Sequence, residues 1–166
     1  RKKYDIMNRG HDGFTIHGVK RILEKECILK RPDVVSILIG CNDVGVMMNT
    51  GKSLEEQQFE ACYEAIVKEI TEQSDAKLIC MSPFIVPYPR MYENWIQGIK
   101  QTERIEKKIA EKYHADFLAL QDMIILKTEK VGYESVTTDG IHLTEYGNEI
   151  IAGAWLQLFE KIKDGD

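Results

Sequence analysis

Asp139 and His142 stand three residues apart in the run Thr138-Asp139-Gly140-Ile141-His142-Leu143-Thr144. In a glycine-containing turn at the mouth of a helix, a carboxylate at that spacing can hold an imidazole by its Nδ1–H. That leaves Nε2 free as a general base. Two donors elsewhere complement such a base. Gly13 has no side chain and can bring its backbone N–H close to a ligand oxygen, and Asn42 offers a side-chain amide. Two N–H groups aimed at one point form an oxyanion hole, worth on the order of 3–4 kcal/mol of transition-state stabilisation. Each residue also has a plain structural use. Gly13 can simply make a turn, Asn42 can bond the backbone locally, Asp139 can cap a turn and His142 can sit at a helix entry.

A general base needs a proton to remove, and the five serines offer it poorly. Ser36 falls inside a strand-like run and Ser53 in a capping position. Ser74 lies in a helix-end turn, Ser82 in a turn before Pro83, and Ser135 in a distal loop. The other histidines are weaker candidates: His11 lies in a polar loop and His17 begins an amphipathic helix, while His114, next to a helix end, reads as structural. A metal site from His11, Asp12, Asp139 and His142 lacks any HxH, HxxxH or HExxH spacing, so no metal is expected.

The elements that must position these groups follow from periodicity. Tyr4–Met7 reads as a short strand ending in the Asn8–Gly13 loop. Ile16, Val19, Ile22, Leu23 and Cys27 recur at helical spacing. Val34–Ile39 is a β-branched run suited to a strand covered on both faces. Gly40-Cys41-Asn42-Asp43 closes it, and a polar loop is expected to Lys52. Ser53-Leu54-Glu55-Glu56 has the capping-box pattern for a helix carrying Phe59, Tyr63, Ile66 and Ile70. Lys77–Met81 is the next strand, followed by a stiff loop with Pro83, Pro87 and Pro89. A helix from about Asn94 to Tyr113, a strand at Asp116–Leu120, a loop, and a final helix capped by Thr144 complete the chain.

Alternating strands and helices are the pattern of a parallel α/β sheet, whose ligands bind beyond the carboxyl ends of the strands. The Asn8–Gly13, Gly40–Asp43 and post-Met81 loops fall there together. A chain of 166 residues with 43% hydrophobic and 30% charged residues suits one globular domain. A net charge of −5 disfavours nucleic acid as a partner. No apolar run approaches transmembrane length. The four cysteines form no CxxC pair and read as reduced, mostly buried thiols, consistent with a cytoplasmic protein.

These blocks resemble the SGNH hydrolases, the GDSL family of lipases and esterases. Asn8-x-Gly10-x-x-Gly13 is similar to the family's second block, Gly40-x-Asn42-Asp43 to its third, and Asp139-x-x-His142 to its fifth. The resemblance implies a three-layer α/β/α, flavodoxin-like fold with a central parallel sheet. It also implies a single domain over residues 1–166. Gly13 and Asn42 become the oxyanion donors, His142 the base and Asp139 its orienting acid. The family's first block, a strand followed by Gly-Asp-Ser, has no counterpart here. The expectation is therefore that the nucleophilic serine and an internal strand lie upstream of Arg1, and whether a signal peptide precedes them stays open.

The implied activity is hydrolysis of small-molecule carboxylic esters, short-chain acyl or acetyl esters above long-chain lipids, with no cofactor. Phe84 and Tyr88 in the Pro-rich loop are candidate substrate walls, or equally packing residues. The alternative is a ligand-binding protein on the same fold without turnover. A flavin or nucleotide binder has the right alternation but lacks a phosphate-cradling loop after a first strand.

Overall fold

The computed structural model describes residues 4–88 and 90–164. Three parallel strands, β1 (Val34–Leu38), β2 (Lys77–Met81) and β3 (Asp116–Leu118), form a sheet in the order β1-β2-β3. Val34 lies opposite Lys77, and Ile79 opposite Asp116. Parallel neighbours need long crossovers, and helices supply them. These are α1 (Ile16–Glu26), α2 (Cys41–Thr50), α3 (Phe59–Gln73), α4 (Ile96–Lys112), α5 (Gln121–Val131), α6 (Tyr133–Val136) and α7 (Glu145–Asp164).

The side-chain period of two on β2 separates the core into two layers. Leu78 and Cys80 join Leu23, Phe59, Tyr63, Ile66 and Ile109 under α1, α3 and α4. Ile79 and Met81 join Leu120, Ile124 and Val136 on the other face, against Ile150, Ile151, Trp155 and Leu158 of α7. The fold is α/β with helices on both faces of a parallel sheet.

The structure corrects four sequence expectations. Tyr4–Met7 is not a strand. Among the described residues it pairs with no strand, Tyr4 rests edge-on against Phe159 at 5.5 Å, and Ile6 is 87% exposed. The stretch after Asp43 is helix α2, closed by Gly51 in the left-handed region at φ 77°. Its weak apolar periodicity hid it. The capping box forms, with Ser53 N–H donating to Glu56 Oε2 at 2.8 Å and Glu56 N–H to Ser53 Oγ at 3.1 Å. It closes a separate turn, however, and α3 starts only after Gln58, whose positive φ breaks the path. Finally, the loop expected after Leu120 contains α5 and α6.

Both outer edges of the sheet, beyond β1 and beyond β3, are unpaired among the described residues. Among the described residues no strand pairs with the outer side of β1, and Leu38 at its end is 45% exposed. The apolar stripe of α7, on the face of the sheet that carries Ile79 and Met81, is only partly covered: Ile150, Ile151, Trp155 and Leu158 are all half-buried. Trp155 Nε1–H donates to Ser36 Oγ at 2.7 Å. Among the described residues, no helix is long and apolar enough to cross a membrane.

Candidate active site

The Asp139–His142 turn is organised by its own bonds. Asp139 Oδ1 accepts the backbone N–H groups of Ile141 at 2.9 Å and His142 at 2.8 Å, and Oδ2 meets His142 Nδ1 at 2.7 Å. Thr137 Oγ1 accepts the Gly140 N–H at 2.8 Å and donates to the His142 carbonyl at the same distance. The backbone N–H of His142, then its ring, hold the Asp139 carboxyl down to about 2. The acid is therefore ionised and fixed, and Nε2 points away from it, as a base requires. Gly140 docks the turn on the Pro-rich loop by accepting the Val86 N–H at 2.8 Å. Its φ is +96°, and a Cβ there would stand 2.6 Å from the Tyr88 carbonyl, so glycine is required. Thr144 then caps α7, its Oγ1 accepting the Gly147 N–H at 3.1 Å.

The second wall is built by long-range bonds from the first turn of α2. Asn42 Nδ2–H donates to the Phe14 carbonyl at 2.8 Å. Asp43 accepts the Ile16 N–H at 3.1 Å and so serves the open N-terminus of α1. Its own carbonyl accepts Gln57 Nε2–H at 3.1 Å. Burial pushes the Asp43 carboxyl up to about 6 against these bonds. The pair pins the Gly13–Ile16 segment to α2, leaving one hydrogen of the Asn42 amide uncommitted.

Gly13 and Asn42 line one cleft of about 340 Å³ together with Thr15, Cys41, Trp95 and Ile141. Ile141 is next to His142 in the chain, so the base turn borders the same cleft. A cavity of about 360 Å³ at the other end of the sheet lies by Ser74, Asp75, Lys77 and His114. That is the amino end of the strands, away from the edge where parallel sheets hold ligands.

The structure does not bring Phe84 and Tyr88 into this cleft. Phe84 is 8% exposed and packs with Met81, Val86 and Leu120, and Tyr88 lies against the ring of Tyr133. Trp95 does line it. Sequence reasoning missed Thr15, Gly45 and Asn49 as cleft residues. The last two went unseen because α2 was read as loop. Cys41 also lines the cleft, but burial, then Asp43 and Asp139, push its thiol up to about 11, so it is no thiolate nucleophile.

Each serine hydroxyl is engaged away from His142. Ser36 receives Trp155, Ser53 sits in its capping box, Ser74 donates to Ile70 O, and Ser135 to Val131 O. Ser82, fully buried, donates to Glu103 Oε2 at 2.7 Å and accepts the Leu120 N–H at 2.8 Å. His11 stacks on Phe14, and His17 Nε2 meets the Gln57 carbonyl at 2.7 Å. Among the described residues no three His, Cys, Asp or Glu side chains converge as metal ligands.

Known proteins resemble this chain in sequence and fold. The sequence profile of the GDSL-like lipase/acylhydrolase family matches residues 1–150. The acetylxylan esterase of Geobacillus stearothermophilus is 28% identical over 157 residues, spanning 92% of this chain and 70% of its own length. An isoamyl acetate-hydrolyzing esterase 1 homolog of Bos taurus is 25% identical over 96% of this chain and 70% of its own. A solved structure of the acetylxylan esterase superimposes with a TM-score of 0.75 at 25% identity, covering 87% of this chain and 67% of that one. Catalytic mutants of that enzyme carry alanine in place of a serine, of an aspartate, and of a histidine three positions beyond the aspartate. A protein of Parabacteroides merdae named as a GDSL-like lipase shares the fold, with a TM-score of 0.82 at 22% identity over 90% of this chain and 70% of that one.

Proposed function

This chain belongs to the GDSL-like lipase/acylhydrolase family, and from that premise we propose that the intact protein hydrolyses acetyl and other short-chain esters through a serine acyl-enzyme. The observation that carries the reading is the His142 Nδ1 to Asp139 Oδ2 bond of 2.7 Å, set beside a cleft that both Gly13 and Asn42 line. The two named relatives support the acyl group: acetylxylan and isoamyl acetate share an acetyl and differ in the alcohol.

The serine is supplied by a segment outside residues 1–166 that pairs with the open edge of β1. Two features support this placement. The outer side of β1 has no paired strand among the described residues, and every serine of the chain has a structural bond. In the reaction, the serine Oγ attacks the ester carbonyl carbon and His142 Nε2 takes its proton. The carbonyl oxygen becomes an oxyanion held by the Gly13 N–H and the free hydrogen of Asn42. Collapse breaks the ester C–O bond, and the leaving alcohol takes the proton from His142. Water, deprotonated by the same imidazole, then releases the acid and regenerates the serine. Asp139 stays ionised throughout and stabilises the imidazolium.

A phosphonate serine trap on the intact protein tests this directly. Labelling should fall on a peptide outside residues 1–166 and be abolished by His142→Ala. Label on Ser82, or esterase activity with no label at all, would remove the proposed nucleophile. No label and no turnover would leave a ligand-binding protein, the reading that the engaged serines otherwise favour.

A further inference from the structure

The cleft does not end at the oxyanion donors. It continues along one face of α2 from Asn42 past Gly45 and Val46 to Asn49. Seven residues of helix at about 1.5 Å each make that run about 10 Å long. At about 30 Å³ per water-sized volume, 340 Å³ is far more than an acetyl group of three heavy atoms fills. With the carbonyl at Asn42, what lies along α2 is the alcohol part of the ester. We propose that this groove is an alcohol subsite that takes a sugar ring, stacked on Trp95 and hydrogen-bonded by Asn49, an inference that rests on the acyl-transfer reading above.

The lining decides between a sugar and an alkyl alcohol. Its floor is open because position 45 is glycine: a Cβ there would stand 3.2 Å from Trp95 Cη2 and 3.4 Å from Cζ3. The indole is held in place by Tyr92, edge-on at 5.0 Å, and by its packing with Val44, Ile85 and Ile99. An aromatic face carries negative charge density, and the C–H bonds on one face of a pyranose present the complementary positive end. Asn49 is exposed, and its amide makes no bond within the described residues. Thr15 adds a hydroxyl near the mouth. An alkyl chain would cover these polar groups without replacing their water bonds. A sugar ring offers an apolar face to Trp95 and hydroxyls to Asn49 at once.

Binding can be measured without turnover. Methyl β-xylopyranoside titrated into the intact protein should bind saturably. Trp95→Ala should weaken that binding at least tenfold and Asn49→Ala about fivefold. Asn49 lies on an exposed helix face, so its variant keeps the fold if indole removal does not. Binding of 3-methylbutanol should not respond to Asn49→Ala. No saturable sugar binding, or equal affinity in both variants and wild type, overturns the subsite. A second arm compares kcat/KM for acetylated methyl xyloside and for 3-methylbutyl acetate, which share an acyl group. The ratio should fall at least tenfold in Trp95→Ala, and an unchanged ratio counts against the proposal. Failure to hydrolyse either acetate sinks the esterase reading, while the binding arm still decides the groove.

Discussion

The two walls of the site are made in different ways. The Asp139–His142 wall is local: its bonds span two to five residues, and glycine at 140 lets it seat on the Pro-rich loop. The Gly13–Asn42 wall is assembled at a distance, with Asn42 reaching 28 residues back to Phe14 and Asp43 27 back to Ile16. The local wall carries the base in finished geometry. The assembled wall follows the carboxyl end of β1, whose outer side has no paired strand among the described residues. The Asp139–His142 pair is held within its own turn, whereas Gly13 and Asn42 are placed by bonds between α2 and the segment that enters α1.

The largest effect should come from the local wall. His142→Ala in the intact protein should lower p-nitrophenyl acetate hydrolysis by about 10³-fold or more, within the range for losing a general base that serves both half-reactions. A near-normal rate would break the comparison at its first term. On the assembled wall, Asn42→Ala should lower kcat about 10²- to 10³-fold with a smaller change in KM, the mark of a transition-state contact. Because it also removes the bond to Phe14, it should cost about 1 kcal/mol in a denaturant melt. Asp139→Asn, in contrast, keeps an acceptor oxygen and removes no long-range bond; it loses only the local charge, so it should cost the melt less than Asn42→Ala does while activity falls. Equal stability losses in the two variants would erase the distinction between walls.

What the sequence disclosed follows the same division. Asp139, His142 and the Thr144 cap were legible because a local turn is written in adjacent residues. Asn42 and Gly13 were legible as donor types. Their tie through Phe14 was not, since 28 residues of spacing carry no signal. Helix α2 escaped because its one strong marker, Gly51 at the C-cap, reads equally as a loop glycine. Tyr4–Met7 failed as a strand because strand propensity describes a fit to a sheet, and no paired neighbour meets that segment. Phe84 does not line the cleft because the nearest core took it, and Tyr88 does not because its half-exposed ring lies on Tyr133.

The smallest effect concerns a group that no periodicity flagged. Glu106 of α4 is fully buried, neither carboxyl oxygen has a hydrogen bond, and Oε1 lies 3.4 Å from where a Gly40 Cβ would be. Burial, then Asp43 and Glu103, raise its pKa well above the ordinary carboxylate value, and Tyr63 and Cys80 face it from α3 and β2. The folded state therefore keeps a proton that the unfolded chain gives up. Stability is full below the unfolded value of 4.5 and declines as pH rises from there toward the folded value. Asp43 acts in the same direction, but only between 3.8 and about 6. Asp139 acts oppositely, its contribution being lost only as pH falls from 3.8 toward about 2. Above the Asp43 value of about 6, the remaining decline belongs to Glu106 among these carboxyls. Glu106→Gln should flatten the fall in urea-melt stability as pH rises above 4.5 and leave the variant more stable than wild type on the alkaline side of that fall. An unchanged slope would mean that Glu106 is ionised and paired in solution. The rigidity of the Gly40 turn, and with it the assembled wall, would then rest on a partner for that carboxylate.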